Sequence, residues 1–182
     1  LLATLGISDL LESTDAAETF EGSSPHQEAE SNETTKYQSV NELKPSQKEY
    51  YVEDGEISFA ELYYSKAREM DSLELLIVGQ DPYPTNANGV AFCKNSYYEL
   101  FQDDCSGGIV LKSLGLDKEK SRDLSRKNPK NLFYELLTSC GICFINVFNK
   151  AYDQLAVEDV RSAAEEARRF NMPMIEKAKV IV

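Results

Sequence analysis

The sequence predicts an α/β domain, a parallel sheet with helices on both faces. Three observations point to it. Leu73 to Val78 is a short, almost continuous apolar run that ends in Gly79, the pattern of a strand buried on both faces. Ile142 to Val147 is a second such run, opened by Gly141. Around these runs the apolar residues recur at helical spacing, and strands that alternate with helices imply a parallel sheet.

Along the chain, residues 1–48 stand apart by composition. Up to residue 45 they hold nine acids against Lys36 and Lys44. From Ser13 to Lys48 the chain is rich in Glu, Ser, Thr, Asn and Gln, with too little apolar surface to offset the entropy of ordering. This predicts a disordered acidic tail, with room for a short helix at Leu5, Leu10 and Leu11. The tail is read as solvated, or as an arm that binds a protein partner. The folded domain is expected over 49–182, with order beginning near Tyr50. Ser58-Phe-Ala-Glu61 has the form of a capping box, and Phe59, Tyr63, Ala67 and Met70 continue it as a helical stripe. The first strand comes next. Gly107 and Gly108 open a helix expected over Ile109–Leu116. Asn128-Pro129 looks like an N-cap with Pro in the first helical position. Leu132, Phe133, Leu136 and Leu137 form the buried face of the next helix, and Gly141 closes it. After the second strand, Val157, Val160, Ala164 and Ala167 repeat at helical spacing. Lys179 to Val182 begins a third strand.

Composition narrows the class. The chain has 182 residues, 42% apolar and 27% charged, the balance of a globular domain. It holds no run of about 18 apolar residues of the kind that spans a membrane, and no signal peptide is visible. The net charge of -12 counts against nucleic acid as a first guess, because phosphate contacts favour a basic footprint. Local charge at a groove matters more than the sum. One segment is locally basic, with Lys118, Lys120, Arg122, Arg126, Lys127 and Lys130 against Glu119 and Asp123. A mobile, solvated loop is preferred there over a contact with the DNA backbone. Cys93, Cys105, Cys140 and Cys143 are too few for a disulfide scaffold in a domain this large, which points to a reducing, intracellular compartment. For Cys140-Gly-Ile-Cys143, buried structural thiols are preferred over a redox pair or half of a metal site. A monomer without a metal is expected.

In an open parallel sheet the ligand sits beyond the carboxyl ends of the strands. Two loops leave that edge, one at Gly79 and one at Asn146. In Gly79-Gln-Asp-Pro-Tyr-Pro-Thr85, Gly79 allows a sharp turn and Pro82 and Pro84 stiffen the loop beyond it. Asp81 lies next to this stiffened stretch. On position alone it fits two roles equally, a turn cap or a carboxylate that orients a water or steadies a cation.

The longer strings carry a resemblance. Val78-Gly-Gln-Asp-Pro-Tyr-Pro-Thr85, with Asn88-Gly-Val-Ala-Phe-Cys93 after it, closely resembles the first motif of uracil-DNA glycosylases of the family-1 type. Ile142-Cys-Phe-Ile-Asn-Val147 resembles the second. Ser106-Gly-Gly and Leu114-Gly115 loosely resemble the serine loop and helix between them. The likeness runs from about Ile57 to Val182. It implies a three-layer αβα sandwich around a parallel four-stranded sheet, whose last strand this chain lacks. It implies a DNA repair enzyme of base excision that hydrolyses the N-glycosidic bond of uracil in single- or double-stranded DNA, without cofactor or metal. Such an enzyme works in a prokaryotic cytoplasm or a eukaryotic nucleus. By the same resemblance Asp81 is catalytic. Gln80, Tyr83, Phe92 and Asn146 bind the base, and Pro82 and Ser106 touch the DNA backbone.

The departures are specific. Pro84 stands where the family most often has His. The family's third motif, a His-Pro-Ser-Pro loop whose His donates to uracil O2, has no counterpart before Val182. The only histidine, His26, lies in the expected tail. Together with the missing initial Met, this favours a piece of a longer protein. The alternative is a catalytically inactive relative that binds DNA or a protein partner on the same scaffold. A nucleotide-binding α/β protein would need a Gly-rich phosphate loop after the first strand, where Gly-Gln-Asp-Pro stands instead.

Overall fold

The structure, a computed structural model, describes residues 37–44, 57–83, 88–125, 128–148 and 156–182. The expected helix at Leu5 to Leu11, His26, Pro84, Arg126 and Lys127 lie outside them. Helix α1 spans Phe59–Glu69, strand β1 Leu73–Gly79, α2 Tyr97–Leu100, α3 Ser106–Ser113 and α4 Lys118–Leu124. Helix α5 spans Pro129–Cys140, strand β2 Ile142–Asn146, α6 Val160–Ile175 and β3 Ala178–Ile181. The three strands form a parallel sheet in the order β2-β1-β3. Helices flank it, an arrangement compatible with a three-layer sandwich.

Local chemistry sets the helix ends. The Ser58 hydroxyl accepts the Glu61 N–H at 3.2 Å and starts α1. Asn128 accepts the Lys130 N–H at 3.0 Å and Pro129 opens α5. Gly141, in the left-handed region, ends α5. The apolar stripes then face inward, with Phe59, Tyr63 and Ala67 of α1 and Leu132, Phe133, Leu136 and Leu137 of α5 all buried in one core. Phe144 of β2 packs its ring 4.8 Å from that of Phe133.

Four expectations need correction. Val157 is 89% exposed and lies in a short 3-10 turn before α6. The buried stripe of α6 is carried by Ala167, Asn171 and Met174 instead. Gly107 and Gly108 lie inside the first turn of α3, which starts one residue earlier at Ser106. The basic segment is helical from Lys118 to Leu124, capped by Asp117, where a loop was expected. Its Leu124 and Ser121 face inward, and the Tyr97 hydroxyl of α2 donates to Ser121 O at 3.0 Å. Residues 37–44, placed in the tail by composition, lie against the domain. The Gln38 N–H donates to Ser139 O at 2.7 Å, Tyr37 Oη donates to Ser72 O at 2.5 Å, and Leu43 is buried. A few apolar residues in a polar stretch suffice when an existing groove receives them.

The outer edge of β2 is capped by side chains at Phe144. In a parallel strand, N–H and C=O of one residue point to the same side. At Phe144 that side faces away from β1, and α1 fills it. Phe144 N–H donates to Tyr63 Oη at 3.1 Å, and Tyr64 Oη donates to Phe144 O at 3.3 Å. Burial pushes both phenols up, out of reach of ionisation. Tyr63→Phe removes the acceptor of the Phe144 N–H while keeping the ring in the core. The expected loss is about 1–3 kcal/mol, the usual cost of an orphaned buried donor. Urea unfolding checks it, and an unchanged midpoint would show that the N–H finds another acceptor.

Candidate functional site

The register Gly79↔Asn146 brings the carboxyl ends of β1 and β2 level. Pairing continues past them, with Val147 N–H donating to Gly79 O at 2.8 Å and Phe148 N–H donating to Gln80 O at 2.9 Å. The two loops are therefore held side by side at the sheet edge. A cavity of about 300 Å³ opens there, lined by Gln80, Asp81, Pro82, Tyr83, Phe92, Ser106 and Asn146. These are the seven residues singled out from sequence, drawn from four separate stretches of chain. The volume sits at the low end of small-molecule sites.

Gly79 is the floor. A Cβ there would lie 2.6 Å from Asn146 Oδ1 and 3.0 Å from the Phe92 ring. The glycine thus serves close approach by two cavity residues. The sharp turn expected of it is not what it supplies, since its φ is not among the positive ones.

Phe92 has a φ of 63°, a left-handed conformation rare for a bulky residue. The turn around it is tight. Asn88 Oδ1 accepts the Val90 N–H at 3.2 Å, and the Cys93 N–H donates to Val90 O at 3.2 Å. The ring packs against Phe144, with centroids 6.1 Å apart. Behind it stands α3. A Cβ at Gly107 would sit 2.1 Å from Phe92 O and 2.7 Å from Leu100 Cδ1, so only glycine lets the helix close on the turn. Strain of this kind persists where the surroundings over-determine it, often at ligand sites.

Tyr83 is fixed at its oxygen. The phenol is 2.9 Å from Ser106 Oγ and 3.2 Å from Cys105 Sγ, and it accepts the Gly107 N–H at 2.9 Å. Burial pushes its ionisation up to about 12, so the wall it forms stays neutral. Lys94 Nζ lies 3.7 Å from the centroid of the same ring. Ser106, expected at the DNA backbone, is thus also a partner of Tyr83. Asp81 is half-buried and Gln80 exposed, which leaves the carboxylate within reach of water entering the cavity.

Two residues escaped the sequence reading. Asn171 of α6 is buried, and its Nδ2 donates to Asn146 O at 2.7 Å. It anchors the backbone of the residue whose side chain faces the cavity. The available signal was an amide on an otherwise apolar helical stripe. Lys94 gave no local signal, since a lysine after a buried cysteine reads as ordinary surface. The cysteines are free and buried. Burial pushes the thiols of Cys93, Cys140 and Cys143 up to about 12, which suits packing and not thiolate chemistry. Among the described residues no cluster of His, Cys, Asp and Glu is arranged to hold a metal. No helix among them is long and apolar enough to cross a membrane.

A second hollow of about 290 Å³ lies between α1 and α6 and shares Pro82 and Asn146 with the first. Its lining mixes the aromatic rings of Tyr64, Phe148 and Phe170 with the charged Glu61 and Arg68 and the amide of Asn171. The first cavity is the better candidate, because all seven residues singled out from the sequence line it, whereas the second shares only Pro82 and Asn146 with that set. No family model, no curated protein and no solved structure matches the chain.

Proposed function

We propose that the chain forms the body of a uracil-DNA glycosylase, which hydrolyses the N-glycosidic bond of uracil in single- or double-stranded DNA. The observation that carries the reading is the convergence of Gln80, Asp81, Tyr83, Phe92 and Asn146 on one cavity at the sheet edge, with room for a base. Chemistry on a base requires its extrusion from the stack into such a pocket. Phe92 offers a face on which the base stacks. Asn146 reads its edge, because uracil presents an acceptor at O4 and a donor at N3, which one amide matches. Cytosine presents the reverse pattern and leaves buried groups unpaired, a penalty that reaches roughly four orders of magnitude in such sites. Tyr83 stands against C5, where the methyl of thymine collides.

In the reaction the bond between C1′ and the base nitrogen breaks, and its electron pair leaves with the base. Water bonds to C1′ and gives up a proton. Asp81 positions that water, accepts its proton and steadies the cationic sugar. Backbone N–H groups at Gln80 and Asp81 hydrogen-bond O2 as negative charge develops there, the geometry of oxyanion stabilisation. Pro82 and Ser106 border the cavity where the DNA backbone passes.

Uracil release from a single-stranded oligonucleotide, detected by chromatography of the free base, tests the reading on the full-length protein. Free uracil and an alkali-labile abasic strand are expected. No release from folded protein overturns the enzyme and favours a relative that binds DNA or a protein partner through the same scaffold.

A further inference from the structure

We propose that Lys94 is a positioning residue that sets how strictly the cavity rejects a pyrimidine substituted at C5, an inference that rests on the glycosylase reading. Tyr83 is the wall in question. Its hydrogen bonds to Cys105, Ser106 and Gly107 all meet at the phenol oxygen. The ring itself is only partly buried where it packs against the core, and bonds to the oxygen do not stop it rocking about its long axis. The Lys94 ammonium, 3.7 Å from the ring centroid, adds a restraint on its face. A cation within about 6 Å of a ring centroid is attracted by the ring quadrupole, more strongly where water is partly excluded, and both residues are half-buried.

The lysine is delivered from a rigid place. It comes directly after Cys93, which is fully buried, whose N–H donates to Val90 O and whose sulfur accepts from Asn88 Nδ2 at 3.2 Å. The same turn carries Phe92 into the cavity. One short stretch therefore sets the stacking face directly and the C5 wall through a cation. Lys94 does not line the cavity, so its effect passes through Tyr83. A single methyl group is discriminated only about 10- to 200-fold in an apolar pocket, and a wall that yields slightly lowers that ratio.

The test compares wild-type full-length protein with Lys94→Met, which keeps length without charge, and Lys94→Arg, which keeps the cation. Each is given single-stranded oligonucleotides carrying uracil or 5-bromouracil, whose bromine matches a methyl in size. In Lys94→Met the preference for uracil, as a ratio of kcat/KM values, is expected to narrow by about threefold to fivefold, the scale of one cation–π contact. Release of uracil itself should change less, and Lys94→Arg should restore the ratio. An unchanged ratio, or an equal loss on both substrates such as a phosphate contact would give, overturns the proposal alone. If wild type releases no uracil, the glycosylase reading falls and the proposal falls with it. Lys94→Gln serves as the second uncharged variant should Lys94→Met fail to fold.

Discussion

Asp81→Asn is expected to lower uracil release by about two orders of magnitude or more, the usual scale for losing a positioned base. The substitution is nearly isosteric. It keeps a hydrogen-bonding side chain at the mouth of the cavity but removes the negative charge and the proton acceptor. Two parts of the proposed mechanism disappear together, the orientation of an ionisable water and the attraction of a carboxylate for the cationic sugar. The backbone should not notice. Pro82 fixes φ immediately after position 81, and Phe148 N–H holds Gln80 O at 2.9 Å just before it. Single-turnover release on a uracil oligonucleotide measures the effect, with the urea midpoint as control. Near-normal release with an unchanged midpoint would remove Asp81 from the reaction.

Gly107→Ala is expected to have the largest effect on stability, about 3 kcal/mol, at the upper end for an overpacked site. The new methyl would meet Phe92 O at 2.1 Å, Leu100 Cδ1 at 2.7 Å and Phe92 C at 3.1 Å. The leucine end can rotate away. The Phe92 carbonyl cannot, because it belongs to a turn already in the left-handed region and tied through Val90 and Cys93. Helix α3 must therefore retreat or Phe92 must leave its position. Retreat of α3 also breaks the Gly107 N–H bond to Tyr83, and displacement of Phe92 removes the stacking face, so base binding should weaken along with the fold. Urea unfolding gives the number, read from the midpoint at constant slope. A midpoint equal to wild type would mean that α3 does not press on the turn as described.

Much of the fold and the site is legible in the sequence because it is local. A run of apolar residues ending in Gly79 writes β1 directly, and Ser58, Asn128 and Gly141 mark helix ends through bonds to residues two to five positions away. The seven cavity residues stand out as short strings, and a parallel sheet places strand ends side by side without further information. The features that escaped are long-range. Asn171 meets Asn146 across 25 positions. Tyr63 meets Phe144 across 81, and in a helical stripe a tyrosine looks like any other core residue. The grip of residues 37–44 depends on a groove made elsewhere, so composition alone assigns them to solvent. Helix α2, four residues long, is too short to carry a periodic signal.

The tyrosine seal on β2 bears on the order in which the chain can fold safely. An unpaired strand edge is a template for other chains, and partly folded species that expose one aggregate readily. Synthesis runs from the amino end, so α1 leaves the ribosome well before β2 does. The hydroxyls of Tyr63 and Tyr64 are therefore made before Phe144 emerges, and the most deeply buried strand of the sheet can have its edge capped at that residue as it forms.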